Sequence, residues 1–540
     1  PPASSVSFPF NVPTDTSCNL NIISTEFHQF ENDLLSSNTH FGFANYSWND
    51  TEVIDLINNH FPMTNMRFPA GAIGNFYDWT TDGFYNDTNA QTNSFVINKY
   101  NSGFTFKYEG YRTLSLANNA SSTLMFNVIS DDVTITKNRL QSRLNDGLNV
   151  KWVELGNENY FAPQGLGNVS DISSYISHTK AITAGLKEIE PTIKVAANIN
   201  DVAYNSSWNV LMADENYYDA LVVHPYIQTG TFLLNKLSAY KMMSAYKITN
   251  KHFAEYNLYY PNTPMLCTEW NILSGNTPVN FVQTLSNADF FLALEKGNQE
   301  GIVKQAGIHM LYHSDKYHEA TLAYYDNNSN TMKLTANGIF YASLFRVFNS
   351  GNVYDAYSTS AELEPDLPAV NAKAIGQGDY VKVFIVNKLP VSSPLNLTID
   401  GNVYTGNYTL DSFHEDVNNV LTVPYATYEE AWSSVSSNGQ ISIPAYSIAI
   451  VTIAKADISL EINELNRKEN IRTYPNPFND YLKIDSIENI NTIEIYSITG
   501  KKIRVEKRLI KDSDYRINLS NLSSGMYFLK VGTEIFKVVK

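Results

Sequence analysis

Between residues 39 and 350, short apolar runs alternate with longer stretches of helical spacing, and the alternation is completed eight times. That rhythm implies a parallel sheet covered by helices, because parallel neighbours need a long crossover and a helix supplies it. The strand-like runs fall at 40–45, 65–69, 124–130, 151–156, 193–200, 220–224, 265–269 and 306–313. Helical spacing lies between them, over 51–60 behind a capping Asp50, over 172–189 and over 282–297. Eight units predict an α/β chain closed into a (β/α)8 barrel, with catalytic groups at the C-terminal ends of the strands. A doubly wound open sheet would carry a Gly-rich phosphate turn after its first strand, and the sequence has none there.

Beyond residue 350 the helical period gives way to alternation, as over 380–387, 395–399 and 441–453, with Pro, Gly and Asn between the runs. Residues 351–455 are therefore expected to form an antiparallel β-sandwich. The segment 1–38, strand-like over 18–30, is expected to pair with it, leaving 39–350 as the catalytic barrel. A polar, charged linker follows at 456–470, and a second alternating block fills 471–540. Charge changes sign near this point. Residues 461–540 hold 14 Lys+Arg and 11 Asp+Glu, which leaves 24 against 43 for the rest of the chain's totals of 38 and 54. A shift of that kind marks an independent module.

The formal charge of −16 over 540 residues disfavours an unaided grip on nucleic acid or anionic membrane, since both need a basic face. No run approaches the roughly 20 apolar residues of a spanning helix. The start at Pro1-Pro2-Ala3-Ser4-Ser5, without Met, resembles the mature end left by signal-peptide removal. Two cysteines, Cys18 and Cys267, rule out a disulfide framework, and Cys267 inside an apolar run reads as a buried free thiol.

Two carboxylates end short apolar runs: Glu158 after the fourth strand in Gly156-Asn157-Glu158, and Glu269 after the seventh in Thr268-Glu269-Trp270-Asn271. Cleaving a glycosidic bond needs one carboxylic acid to protonate the leaving oxygen and a second carboxylate to attack or to activate water. A general acid needs its pKa raised by burial or a like charge, whereas a nucleophile must stay ionised, and Arg67 at the end of strand two is a suitable cation for that. Trp79, Tyr160, Trp270 and Tyr312 offer flat faces to sugar C–H groups, and each has an equal claim to a place in the core. His224 reads either as a site residue or as a satisfied core histidine.

Asn157-Glu158, Glu269, His224-Pro225-Tyr226, Arg67 and the loop Pro69-Ala70-Gly71-Ala72-Ile73-Gly74-Asn75 together resemble clan A of the glycoside hydrolases. More narrowly they resemble the barrel-plus-sandwich families that include arabinofuranosidases, β-xylosidases and heparanase-like glucuronidases. The loop departs from the families' Pro-Gly-Gly pattern at Ala70. The resemblance implies Glu158 as acid/base, Glu269 as nucleophile, Asn157 on the sugar's 2-hydroxyl, Tyr226 donating to the nucleophile, and retention of configuration. It implies a carbohydrate substrate and neither cofactor nor metal; spacings of four and five do not bring His309, His313 and His318 onto one ion. The tail resembles the C-terminal sorting domain of type IX secretion in Bacteroidetes, through Tyr474-Pro475-Asn476-Pro477-Phe478, 493–501 and 519–530. That implies the secretion machinery as a partner and a secreted or outer-membrane cell-surface protein. The expected activity is hydrolysis of a plant or algal polysaccharide or oligosaccharide, with a neutral sugar favoured. The alternatives are a transglycosylase and a non-catalytic carbohydrate-binding or adhesin protein on the barrel scaffold.

Overall fold

The computed structural model describes residues 8–39, 51–69, 71–80, 83–84, 108–162, 164–229, 235–273, 280–311, 321–326, 329, 331–354, 356–418, 424–455, 471–474, 478–486, 493–497, 501–503, 506–511, 514–531 and 534–540. Eight parallel strands close on themselves: Ser36–Asn38, Asn65–Phe68, Ser121–Phe126, Asn149–Leu155, Lys194–Asn198, Ala220–Val223, Met265–Leu273 and Val303–His309. Ser36–Asn38 pairs with both the second and the eighth strand, and the sixth pairs with the seventh, so no edge remains. A helix follows each strand: Thr51–His60, Tyr108–Ala117, Val133–Asn145, Ile172–Ile189, Ser207–Ala213, Ala245–Tyr259 behind the short Lys236–Met243, Phe281–Gln299 and Ala336–Val347. Asp132, Asp171, Asn280 and Thr335 cap four of them, each side chain accepting from a backbone N–H in the first turn.

The first strand lies upstream of the expected 40–45, a range outside the described residues. Its sequence, Ser36-Ser37-Asn38, is polar, so a search for apolar runs passes over it. Hydrogen bonds inside the barrel offset much of the cost of its burial: Ser36 donates to Asn65 at 3.3 Å and Asn38 meets His309 Nδ1 at 2.9 Å. Asn65 also accepts from Thr123 at 3.1 Å and Gln305 at 2.9 Å, giving the barrel interior a layer of amides and hydroxyls.

Two sheets form the sandwich, the larger antiparallel and the smaller mixed, because Cys18–Ile22 runs parallel to Ser393–Ile399. A seven-stranded sheet runs Phe27–Gln29, Asn352–Tyr354, Val370–Gln377, Tyr380–Asn387, Ser447–Ala454, Asn407–Phe413 and Ser433–Asn438 in spatial order. The second sheet receives Cys18–Ile22 between Tyr357–Ser360 and Ser393–Ile399. Phe384, Val386, Ile448 and Ile450 of the larger sheet share one core with barrel residues such as Phe291 and Phe348. The helix Phe281–Gln299 is buried on nearly every side between the two, which suits its lack of a polar face. Its Asp289 takes Lys388 of the sandwich at 2.5 Å, both side chains fully buried. Cys18 and Cys267 are both free and buried.

Residues 459–540 form a separate compact unit. Within it, the four-stranded sheet of Ile471–Tyr474, Tyr481–Ser486, Asp514–Asn518 and Glu506–Lys511 and that of Lys502–Ile503, Ile493–Ser497, Met526–Val531 and Glu534–Val539 enclose a core of Phe478, Leu482, Ile495, Ile517, Leu529 and Val538. The expected linker 456–470 lies outside the described residues. Among the described residues no helix is long and apolar enough to cross a membrane.

Candidate active site

Side chains at the C-terminal ends of the barrel strands converge on a charged cluster around one guanidinium. Arg67, fully buried on the second strand, puts Nε 2.6 Å from Glu154 Oε2 and Nη2 2.7 Å from Glu154 Oε1. Its Nη1 donates to Glu269 Oε1 at 2.5 Å, and Nη2 also reaches Asn157 Oδ1 at 2.9 Å. The planar fork thus ties the second strand to the fourth and seventh with charge-assisted bonds. Burial works against the charge on Arg67, yet the two carboxylates outweigh it and keep the guanidinium ionised.

The fourth strand leaves the barrel through a tight turn. Gly156 has φ +79°, and a Cβ there would fall 2.1 Å from Asn159 Oδ1 and 2.7 Å from Val128 Cγ2, so a glycine is required. Asn157 is clamped by Asn75, which donates to its carbonyl at 2.7 Å and accepts from its N–H at 2.9 Å. Glu158 follows in the left-handed region at φ +46°, a conformation the surroundings impose, with its N–H held by Asn198 Oδ1 at 2.7 Å. Its carboxylate accepts from Gln164 Nε2 at 2.9 Å and faces His224 Nδ1 at 3.0 Å, with a fifth of the side chain exposed.

Glu269 is buried except for 8% of its side chain. Besides Arg67, Tyr226 donates to its Oε2 at 2.7 Å, with His309 Nδ1 at 3.8 Å and His224 Nδ1 at 4.0 Å from the same oxygen. Burial pushes its carboxyl up, but the charges of His224, Arg67 and His309 and the Tyr226 hydrogen bond outweigh that and hold it well below the usual carboxylate range. Burial and the Glu269 charge drive the Tyr226 phenol far up, so it stays a donor.

His224 joins the two carboxylates. Its Nδ1 stands 3.0 Å from Glu158 Oε1 and 4.0 Å from Glu269 Oε2, so those oxygens are at most 7.0 Å apart, the sum of the two legs. Burial opposes its charge, and Glu269 and Glu158 reverse the balance, pushing the imidazole up to about 9. With both nitrogens protonated, Nε2 donates to Thr268 Oγ1 at 3.1 Å, and that hydroxyl lies 3.3 Å from Glu154 Oε1. Asp201 accepts from the His224 backbone N–H at 2.7 Å and from the Tyr160 phenol at 2.7 Å; burial raises its carboxyl to about 6. A cavity of about 500 Å³ opens over this cluster, lined by Glu158, Tyr160, Asp201, His224, Tyr226 and His252 with Phe161 and Val202.

Arg67, Asn157, Glu158, Tyr160, His224, Tyr226 and Glu269 are therefore gathered in one place, and two of the expected sugar platforms are not. Trp79 is 5% exposed and walled in by Tyr77 at 5.0 Å, Phe68 at 5.5 Å and Phe126 at 5.5 Å between ring centroids. Trp270 is fully buried against Phe290 at 5.1 Å. Its position follows from strand geometry: neighbours on a strand point to opposite faces, so the residue after an inward Glu269 must point to the helices. Tyr312, His313, His318 and Ala70 lie outside the described residues. Sequence reasoning missed Glu154, Asn75, Gln164, Asn198, Asp201 and the contact of His309 with Glu269. Glu154 left a trace, since a charged residue in the apolar strand Trp152-Val153-Glu154-Leu155 must find a buried partner.

Residues 472–540 match the secretion system C-terminal sorting domain family. The type IX tail marks a secreted or cell-surface protein. No curated protein matches the chain by sequence. Among solved structures, the barrel and sandwich are similar to the family 51 arabinofuranosidase of Xanthomonas axonopodis pv. citri, at 13% identity and a TM-score of 0.61, covering 81% of this chain and 99% of that one. They are also similar to the alpha-L-arabinofuranosidase of Thermotoga maritima, at 15% identity and a TM-score of 0.62, covering 81% and 100%. The xyloglucanase of Paenibacillus polymyxa from glycoside hydrolase family 44 follows at 10% identity and a TM-score of 0.52, covering 82% and 100%. The fold is that of the barrel-plus-sandwich glycoside hydrolases.

Proposed function

We propose that the protein is a secreted retaining glycoside hydrolase in which Glu158 is the acid/base and Glu269 the nucleophile. The observation that supports this reading is the pair of carboxylates from the fourth and seventh strands, at most 7.0 Å apart and both facing His224. Retaining enzymes separate the two groups by about 5–5.5 Å and inverting ones by roughly 6.5–9.5 Å. The bound accommodates the first range and leaves only the shortest part of the second.

The assigned chemistry runs in two displacements. Glu269 attacks the anomeric carbon as the glycosidic C–O bond breaks, and Glu158 gives its proton to the departing oxygen. A glycosyl ester on Glu269 results. Glu158, now a carboxylate, takes a proton from water as that water attacks the same carbon, which frees the sugar and restores the acid. Arg67 and Tyr226 keep Glu269 anionic and oriented until it attacks, and His224 Nδ1, 3.0 Å from Glu158 Oε1, orients the acid/base.

A neutral sugar suits the cavity, because no Lys or Arg is among the described residues lining it while Glu158 and Asp201 are. With arabinofuranosidases and xyloglucanases among the structural relatives, aryl α-L-arabinofuranoside, arabinoxylan and xyloglucan are the first substrates to offer. The test follows the anomer first released, by proton NMR, on whichever substrate is cleaved. Retention is expected, together with loss of about 10⁴-fold or more in kcat for Glu269→Gln. First release of the inverted anomer, or undiminished turnover by that variant, overturns the assignment.

A further inference from the structure

The seven-stranded sheet of the sandwich carries a second concavity, of about 510 Å³, at the end of its barrel-facing side. Along Tyr380–Asn387, Phe384 and Val386 point into the core shared with the barrel, whereas Tyr380 on the same face is 49% exposed. Pairing register builds the floor from two adjacent rows. In one, Thr452 stands opposite Thr409, and Thr409 opposite Ser436. In the next, Tyr380 stands opposite Ala454, and Asn407 opposite Asn438. Lys382, a cation of that face, is turned to the carbonyl of Arg346 at 2.6 Å and anchors the sheet to the barrel's last helix.

Hydroxyls and amides thus pave the groove, a half-exposed phenol ring stands at its margin, and no charged residue is among the described residues lining it. That composition fits a neutral, hydroxyl-rich chain. A flat ring covers the apolar C–H face of a sugar, and short amides and hydroxyls exchange hydrogen bonds with its hydroxyls where water stood before. A polyanion would meet no cation there and would face the net negative charge of residues 1–460. An apolar segment would strip water from the Asn, Ser and Thr groups and return no partner.

We propose that this groove is a glycan-holding site, separate from the catalytic cavity, that keeps a neutral polysaccharide on the enzyme between cleavage events. Its chemistry comes from the groove itself and does not require that the barrel hydrolyse anything. The test is native affinity electrophoresis of the full chain in gels containing arabinoxylan or xyloglucan, comparing the parent with Tyr380→Ala and with Thr409→Val, alongside turnover of a small aryl glycoside. Expected are retardation of the parent in at least one gel, dissociation constants raised about tenfold by Tyr380→Ala and several-fold by Thr409→Val, and aryl glycoside turnover unchanged. A parent that runs unretarded in both gels, or a Tyr380→Ala variant retarded as strongly as the parent, overturns the site. A chain retarded through Tyr380 but inert on every glycoside keeps the groove and sinks the hydrolase reading instead.

Discussion

Arg67 and Glu154 close on each other as a two-pronged ion pair, at 2.6 and 2.7 Å, with no exposed surface on either side chain. Desolvating two charges is repaid only by geometry of this quality, so the pair is costly to break from one side. Arg67→Met leaves the Glu154 carboxylate buried without its main partner and removes a cation from Glu269. A loss of about 3–5 kcal/mol in stability is expected, together with near-complete loss of activity. Urea and thermal unfolding of the full chain check the first. An Arg67→Met barrel as stable as the parent would mean that Thr268 suffices to hold Glu154.

Glu158 and Glu269 should separate kinetically by leaving group. Glu158→Gln removes the proton donor of the first displacement and the base of the second, so kcat/KM, which reports the first, should fall by about 10²–10⁴-fold on substrates with poor leaving groups and be largely spared on activated aryl glycosides. Plotting log kcat/KM against leaving-group pKa for parent and variant reads this directly. Equal losses across the series would take the acid role away from Glu158.

Much of this site is legible from strand periodicity because a barrel converts position along the chain into position in space. Arg67 lies next to the end of its strand, Asn157 and Glu158 just beyond theirs, and Glu269 within Met265–Leu273 but level with the end of the eighth strand, and the ends of parallel strands meet at one face. Tyr226 belongs to the short extension Tyr226–Gln228, which runs beside Asn271–Leu273, and this brings its hydroxyl to Glu269. What escaped has two causes. The first strand is polar and is held by side-chain hydrogen bonds, so hydrophobic pattern carries no sign of it. Supporting residues such as Asn75, Gln164 and Asn198 come from separate loops and strand ends and meet Asn157 and Glu158 only in the folded chain, which spacing cannot encode. The two tryptophans show the converse error: an aromatic near a catalytic residue in sequence says nothing of its face unless the strand's alternation is followed through.

Gly156→Ala tests whether the turn aims Glu158. The new Cβ would meet Asn159 Oδ1 at 2.1 Å in a backbone held at φ +79°, so the turn must open. A cost of roughly 1–3 kcal/mol is expected from the strained backbone. Because Glu158 lies two residues on, kcat/KM should fall more steeply for poor than for activated leaving groups, echoing Glu158→Gln. Loss of stability with parent-like discrimination between leaving groups would make the glycine a folding requirement alone.

His224 gives the site a pH signature whose direction follows from its surroundings. In the folded chain its pKa is raised to about 9 from a usual value of 6.5, because two carboxylates surround a buried ring. A group with a raised folded pKa binds its proton more tightly in the native state, so its contribution to stability is fully present below about 6.5 and is lost as pH rises through about 9. His224→Gln cannot carry that proton. The melting temperatures of parent and variant should therefore differ by a constant amount at lower pH and converge between about 6.5 and 9. A difference that widens with rising pH would show that His224 is neutral in the folded protein.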